Sequence, residues 1–530
     1  MYDYIIVGAG SAGCVIANKL TENPDVSVCL IESGPENRSK LISTPLGIGG
    51  LMWHPKLNWR FFTLPEPHLN NRRLYCPQGR VLGGSSSINA MVYMRGQPND
   101  FDLWASLGNK GWSYEELKPY FDAQEWWTDE ERTAPKDSRV RISKPRYINR
   151  LTKVFLESSK DVGLPVYEQL LNQECFGSGV YALSQVEGRR CSSADAFLTP
   201  VAQRSNLRII TGATVCKILL SGDRAVGVRY RKGNNLLEVR CHEELILSAG
   251  AIGSPYLLLL SGIGPEDELL AKSIEVNHSL PGVGKNLQDH LDVTVTHKCN
   301  TQDTFGLSWP FLLKFMGEIK KYHQSKTGML CSNVAEAGAF TYSSPSSPFP
   351  DLQFHFTPAF LRKHGFSLDA LGHHYSLRVC LLYPKSRGEI TLNTENVYRG
   401  PDIRFNYLAE EEDLTKLLSG LKQAREILNS AAFSKFRVDE VYPGVDIQSE
   451  SAMKEFIRRN AETIYHPVGT CKMGKDPMAV VDPKLRLHGM SNVRVADASV
   501  MPTIIGGNTN ATAMVIGAKA ADLILENSLS

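Results

Sequence analysis

None of the eleven cysteines stands in a C-x-x-C pair; they are scattered from Cys14 to Cys471. An odd, unpatterned set excludes a disulfide framework and the usual zinc spacings, and it reads as reduced intracellular thiols. Long apolar runs are missing too. The most apolar later stretch, residues 245–260, is interrupted by Gly250, Gly253 and Pro255 and falls short of the roughly 20 residues that cross a bilayer as a helix. Neither sign of charge prevails, since 58 Lys and Arg face 56 Asp and Glu. That gives no reason to expect a nucleic-acid partner or a polybasic anchor. The chain has no internal repeat and no low-complexity tract. Its first strand-like run begins at Tyr4, so no signal peptide is expected ahead of it. These absences predict a soluble, cytoplasmic protein without a metal site. The rest of the composition is globular, and 530 residues are too many for one core, so two or three domains are expected.

What is present is concentrated first at the N-terminus. The apolar run Tyr4-Ile5-Ile6-Val7 leads directly into Gly8-Ala9-Gly10-Ser11-Ala12-Gly13, a helix-compatible stretch from Cys14 to Leu20, and a second buried-type run, Val26 to Ile31, ending at Glu32. Strand, glycine turn, helix, strand and acid make a βαβ unit with a dinucleotide fingerprint. In that reading Gly8 permits the tight turn, Gly10 admits a pyrophosphate, and Gly13 lets helix pack on strand. Glu32 takes a ribose hydroxyl pair, which disfavours a 2′-phosphate and hence NADP. These cues leave NAD and FAD both open.

After Glu32 the chain is loop-rich to about residue 78. So long a stretch predicts a lid or a cofactor-covering loop, with Trp53 and Trp59 as small core anchors beneath it. The run Gln78-Gly79-Arg80-Val81-Leu82-Gly83-Gly84-Ser85-Ser86-Ser87-Ile88-Asn89-Ala90-Met91 suggests backbone that passes close to a ligand. From Asp100 to about Glu131 the pattern is mostly helical, and Pro119 inside it predicts a break or kink. Short β-rich runs follow between about 206 and 250, then Ser248-Ala249-Gly250-Ala251-Ile252-Gly253-Ser254-Pro255 and a Leu-rich helix. That repeats the logic of the N-terminus and predicts a return to the same sheet. Residues 291–460 change character. Alternation in 351–356 and 376–381 predicts a half-buried antiparallel sheet covered by helices near 411–429 and 449–460. The last seventy residues hold small-residue motifs around His466, Asp497 and Asn508-Thr509-Asn510, then an apolar helix from Ala513 to Leu525.

Two of these motifs, Arg80–Asn89 and Gly250–Pro255, resemble the two signatures of the glucose–methanol–choline (GMC) flavoprotein oxidoreductases. The Gly8–Gly13 turn, His466 and the 508–510 block match as well, and the resemblance runs from about residue 2 to 525 in the family's order. Residues 1–8, 83–93 and 461–470 most resemble bacterial alkane-pathway alcohol dehydrogenases, with choline dehydrogenases as close relatives. The resemblance implies FAD, an α/β architecture of a Rossmann-like FAD-binding domain with an α+β substrate domain, and electron transfer from a primary alcohol to a quinone-type acceptor. It implies an FAD-binding domain in three segments (1–150, 188–290 and 462–530) and a substrate domain in two (151–187 and 291–461). Peripheral association with the cytoplasmic face of the inner membrane is implied with the quinone. It also implies cofactor contacts at Gly8, Gly10, Ser11, Ala12, Gly13, Glu32, Gly83, Ser85, Asn89, Ala90, Met91, Val92, Val215, Asp497, Ala498, Asn508 and Thr509.

Oxidising an alcohol requires a base for the hydroxyl proton while hydride leaves carbon for flavin N5, and histidine's ordinary pKa near ~6.5 suits that role. Of thirteen histidines, His466 matches the family's active-site histidine, and Asn510 matches its second active-site residue, a neutral partner for the substrate oxygen. Some relatives carry a histidine at the position of Ile88 and bond it to FAD. Isoleucine cannot, so the flavin is expected to be non-covalent. Glu336 invites a choline reading but lacks an aromatic cage in its loop, and a structural role is preferred. Cys380 and Cys471 read as buried small residues. A photodecarboxylase or a non-catalytic FAD carrier would not need the His466 and Asn510 pair.

Overall fold

The computed structural model describes all residues except 129–138, 171–175, 307, 361–370, 394, 397–398 and 529–530. Two sheets organise them. In the first, strands Leu207–Ile210, Val28–Ile31, Tyr2–Val7 and the C-terminal half of Asn235–Leu247 lie side by side and parallel, and Val493–Val495 adds a fifth. The N-terminal half of Asn235–Leu247 instead pairs antiparallel with Arg224–Lys232, which pairs with Ala213–Ser221. One 13-residue strand therefore serves a parallel layer with one end and a meander with the other. The central parallel strands are buried on both faces over Tyr4–Val7 and Val28–Ile31, as their unbroken apolar runs require, while Arg208 on the edge strand is exposed. Helices Ser11–Leu20 and Asn510–Ser528 pack together on this sheet.

The second sheet runs Arg437–Tyr442, Leu291–Cys299, His374–Leu381, Leu352–Thr357, Ala337–Thr341, Gly177–Tyr181, Val166–Leu170. Its pairs are antiparallel except the last, and Glu462–Thr463 pairs with Leu291–Cys299 off the main path. Helix Glu411–Asn429 covers one face, joined by Arg150–Asp161 and Glu450–Asn460. The sheet is not half-buried as its alternation predicts. Every residue of Leu352–Thr357 is buried, because of the positions that alternate with the apolar ones His355 and Thr357 border a cavity and Gln353 packs onto Tyr181 and Asn508.

Helix Tyr114–Gln124 continues through Pro119, which forfeits one backbone hydrogen bond while Leu117 and Phe121 hold the helix to the core. Beyond Thr128 that helical expectation lies outside the described residues. The 33–78 stretch forms one wall of the cavity. Trp53 is stacked on Tyr75 with ring centroids 3.9 Å apart, whereas Trp59 stands exposed at the cavity's edge beneath the Arg80 guanidinium. Cys380 and Cys471 are buried.

Candidate active site

A cavity of about 1150 Å³ takes walls from both sheets and from the 33–78 stretch. Its first wall is the glycine turn. Gly8 has a φ of +100°, and a Cβ on it would lie 2.4 Å from Ser248 O. A Cβ on Gly13 would come within 2.0 Å of Gly8 O, so only glycine lets the helix Ser11–Leu20 sit against the turn. That helix starts at Gly10 with no side-chain cap and no acid in its first turn, leaving its leading N–H groups for an anionic ligand. A cradle that any side chain would fill, ending in free N–H donors, fits a pyrophosphate. Glu32 accepts Ala9 N–H (3.0 Å) and Gly34 N–H (2.8 Å), and burial pushes its carboxyl up to about 7. Each oxygen keeps a second lone-pair direction, and it borders the cavity where a ribose would lie.

Ser11, Ala12, Ser85, Asn89, Ala90, Met91, Val92, Val215, Asp497, Ala498, Asn508 and Thr509 also border the cavity, with Ile88 among them. Gly13 and Gly83 do not. Gly83 donates its N–H to Ala9 O (2.7 Å) and stands behind the wall; like Gly13, it shapes the cradle without lining it. Asp497 accepts Gly250 N–H (2.8 Å), Ser254 Oγ–H (2.6 Å) and Ser499 N–H (2.8 Å), which ties the second glycine-rich turn to the last strand.

The opposite wall carries the histidines. His466 follows Tyr465, a non-glycine residue at φ +74°, and its N–H donates to Asp289 Oδ1 (2.6 Å). Asp289 also accepts the hydroxyls of Tyr407 and Thr463, so a fully bonded buried carboxylate fixes the loop. His466 Nδ1 lies 2.9 Å from His290 Nδ1, and His290 Nε2 lies 3.0 Å from Leu382 O. A carbonyl only accepts, so His290 carries its hydrogen on Nε2 and offers a lone pair at Nδ1. His466 must then donate from Nδ1, which leaves its Nε2 lone pair toward the cavity. Burial, then the neighbouring His290 and His355, hold His466 well below the ordinary histidine pKa. Burial likewise puts His290 at about 4 and His355 at about 3. His466 is thus neutral with its basic nitrogen turned to the cavity wall, and its ionisation lies below the unperturbed value assumed from sequence.

The amide beside that nitrogen is Asn508, not Asn510. Asn508 Nδ2 lies 3.2 Å from His466 Nε2, while Gln353 Nε2 lies 3.4 Å from Asn508 Oδ1. Asn510 opens the last helix, where its Oδ1 accepts Ser11 Oγ–H at 2.6 Å, and so belongs to the glycine-turn wall. The sequence reading paired Asn510 with His466 and gave Asn508 to the cofactor; the structure sets Asn508 beside His466 and Asn510 on Ser11, a distinction that two like residues two positions apart do not carry in sequence.

Three further residues of the site carry no sequence motif. His355 rises from strand Leu352–Thr357 into the cavity, and His290 stands at the start of strand Leu291–Cys299. Arg378, on the neighbouring strand, borders the cavity and donates Nε–H to Asp292 Oδ2 at 2.5 Å, with the two side chains 14% and 1% exposed. Glu336 lies away from the cavity wall. It accepts Asn149 N–H (2.6 Å), Thr152 Oγ–H (2.8 Å) and Ser332 Oγ–H (2.5 Å), a structural role, and burial lifts it to about 7.

The GMC oxidoreductase family models match residues 2–292 for the N-terminal part and 384–517 for the C-terminal part. An alcohol dehydrogenase (acceptor) of Pseudomonas putida is 43% identical over 529 residues, 99% of this chain and 96% of that one. An oxygen-dependent choline dehydrogenase of Photobacterium profundum is 39% identical over 99% of this chain and 93% of its own. Among solved structures, a formate oxidase of Aspergillus oryzae RIB40 studied for FAD modification superposes with a TM-score of 0.90 at 26% identity, covering 99% of this chain and 98% of that one.

Proposed function

The chain belongs to the GMC oxidoreductase family, and from that premise we propose that it is an FAD-dependent alcohol dehydrogenase oxidising an uncharged primary alcohol, medium-chain and aliphatic, to the aldehyde. When bound, FAD supplies the hydride acceptor at flavin N5. The observation that carries the reading is the His466 Nε2 lone pair, fixed toward the cavity by His290 and Leu382. That nitrogen takes the hydroxyl proton as the C–H bond gives up its hydride. Asn508, whose amide donates one N–H to His466 Nε2, has a second N–H for the same oxygen and its developing charge.

Two features favour a neutral substrate over choline. Glu336 is spent on backbone and hydroxyl donors, and of the carboxylates near the histidines Asp289 is taken up by His466 N–H, Tyr407 and Thr463 while Asp292 is bonded to Arg378. A quaternary ammonium would meet the Arg378 guanidinium at the wall, with no carboxylate there left to offset it among the described residues. Phe305, Ala359, Phe360 and Ile464 give that region apolar walls suited to an alkyl chain. Ile88 offers no nucleophile, so the flavin is held without a covalent bond. Acid precipitation should leave all of the yellow colour in the supernatant; flavin in the washed pellet would overturn this.

The electrons are passed to a quinone-type acceptor from a peripheral position on the cytoplasmic face of the inner membrane. Among the described residues no helix is long and apolar enough to cross a membrane. The deciding experiment is anaerobic bleaching of the bound flavin by ethanol through decanol, benzyl alcohol and choline. A medium-chain alkanol should bleach fastest, and a clear preference for choline would overturn the substrate assignment.

A further inference from the structure

Helix Trp309–Ser325 is apolar on both sides of its first two turns. One face, Phe311, Phe315, Ile319 and Tyr322, packs into a small core with Met329 and Cys331. The other face, at i, i+3, i+4 and i+7 spacing, carries Trp309, Leu312, Leu313 and Met316. Trp309, Leu313 and Met316 are 77%, 68% and 67% exposed, and Leu371, whose neighbour Gly372 packs against Gly306, is 69% exposed. Single exposed apolar residues are ordinary on a protein surface, but a contiguous ridge led by a tryptophan is not. A helix apolar all round is normally enclosed, and this one is enclosed on one side only.

The ridge is held rigidly. Ser308 caps the helix and bonds His373 at 2.8 Å, and His373 bonds Thr304 at 2.7 Å. It also adjoins the cavity, because Phe305, four residues ahead of Trp309, is part of the cavity wall. Its charge is mainly of one sign. Lys314, Lys320 and Lys321 lie on the same helix; Lys314 pairs with Asp303 at 3.3 Å, and Lys321 stands 4.0 Å from Glu318, the helix's only acid, which is turned inward onto Met329 N–H (2.7 Å). Apolar side chains led by Trp, with a lysine flank, match an anionic bilayer surface: the ridge enters the headgroup boundary while the ammonium groups stay at the phosphates.

We propose that the exposed face of Trp309–Ser325 docks the protein onto an anionic lipid bilayer, setting the mouth of the cavity at the membrane. The inference deepens the acceptor reading above, on which its purpose rests, and its geometry is independent of that reading. The test uses the FAD-loaded full chain with vesicles of phosphatidylglycerol and phosphatidylethanolamine, compared with phosphatidylcholine alone. Wild type should sediment with the anionic vesicles. The variant Trp309→Ser/Leu313→Ser/Met316→Ser should bind at least tenfold more weakly. Lys320→Gln/Lys321→Gln should lose about fivefold per lysine, from about 1 kcal/mol for each charge near the surface. All three proteins should reduce a water-soluble phenazine equally with alkanol, because none of these residues touches the cavity. Wild type that stays in solution, or a triple variant that binds as well as wild type, overturns the proposal. So does a doubled mass in solution that the triple variant abolishes, which would assign the face to a second copy. Loss of alkanol oxidation in all three proteins with vesicle binding intact would instead strike at the proposed function alone.

Discussion

His466 can take a proton at Nε2 only while its own hydrogen sits on Nδ1, and that is set two bonds away, where His290 donates to Leu382 O. His466→Ala removes a base of typical worth ~10²–10⁴, so flavin reduction by alkanol should fall at least about a hundredfold with FAD content unchanged. Reduction within a few-fold of wild type would send the base elsewhere. Asn508→Ala should cost ten- to hundredfold in the same assay, as expected of a neutral hydrogen bond worth ~1–3 kcal/mol. Asn510→Ala should leave the reduction rate nearly intact and weaken flavin retention through Ser11; the opposite ranking would restore Asn510 to the base. Because burial, His290 and His355 lower the His466 pKa, the base is fully available above the ordinary histidine range. The rate should therefore be level from about pH 7 upward and fall only in acid, with the limb displaced below ~6.5. A limb centred near 7 would contradict the lowering of His466 by its surroundings. His466 stood out in sequence because it sits in a motif of small residues that matches the family's. His290 did not, since it meets His466 across 176 positions and only the fold joins them.

At the scale of elements, the glycine turn was legible because its requirements are local and steric. Gly13→Ala puts a methyl group within 2.0 Å of Gly8 O, so the helix Ser11–Leu20 must shift from its strand. The purified protein should then carry well under the wild-type ratio of flavin to protein, measured after gel filtration. The second sheet was legible as strands but not as a site. In Leu352-Gln353-Phe354-His355-Phe356 polar and apolar residues alternate, a pattern that usually separates water from core. Here His355 faces the cavity and Gln353 bonds Asn508 beside it, and periodicity cannot tell that from solvent. The pair Arg378–Asp292 belongs to neighbouring strands of this sheet and was equally hidden. Arg378→Met alone strands a buried carboxylate and should destabilise by about 3–5 kcal/mol, whereas Arg378→Met/Asp292→Asn should recover most of that. Chemical unfolding of both variants measures the difference, and equal stability would mean that the pair contributes nothing as a unit.

On the scale of the whole molecule, the chain builds its two sheets from interleaved segments, and the cavity takes walls from both. A quinone or phenazine should support turnover far faster than air-saturated buffer if the acceptor reading holds; equal rates with stoichiometric peroxide would make the protein an oxidase. The interleaving also has a bearing on synthesis. Strand Tyr2–Val7 emerges first, yet its partner Leu245–Leu247 comes some 240 residues later, and Val493–Val495 completes that layer almost at the end. Helix Ser11–Leu20 waits longer still, for Asn510–Ser528. At about 5–20 residues per second, the N-terminal βαβ unit spends roughly half a minute or more on the ribosome with its apolar faces uncovered. The nascent chain is thus a natural client for chaperones, and flavin can be captured only after nearly all of the polypeptide has been released from the exit tunnel.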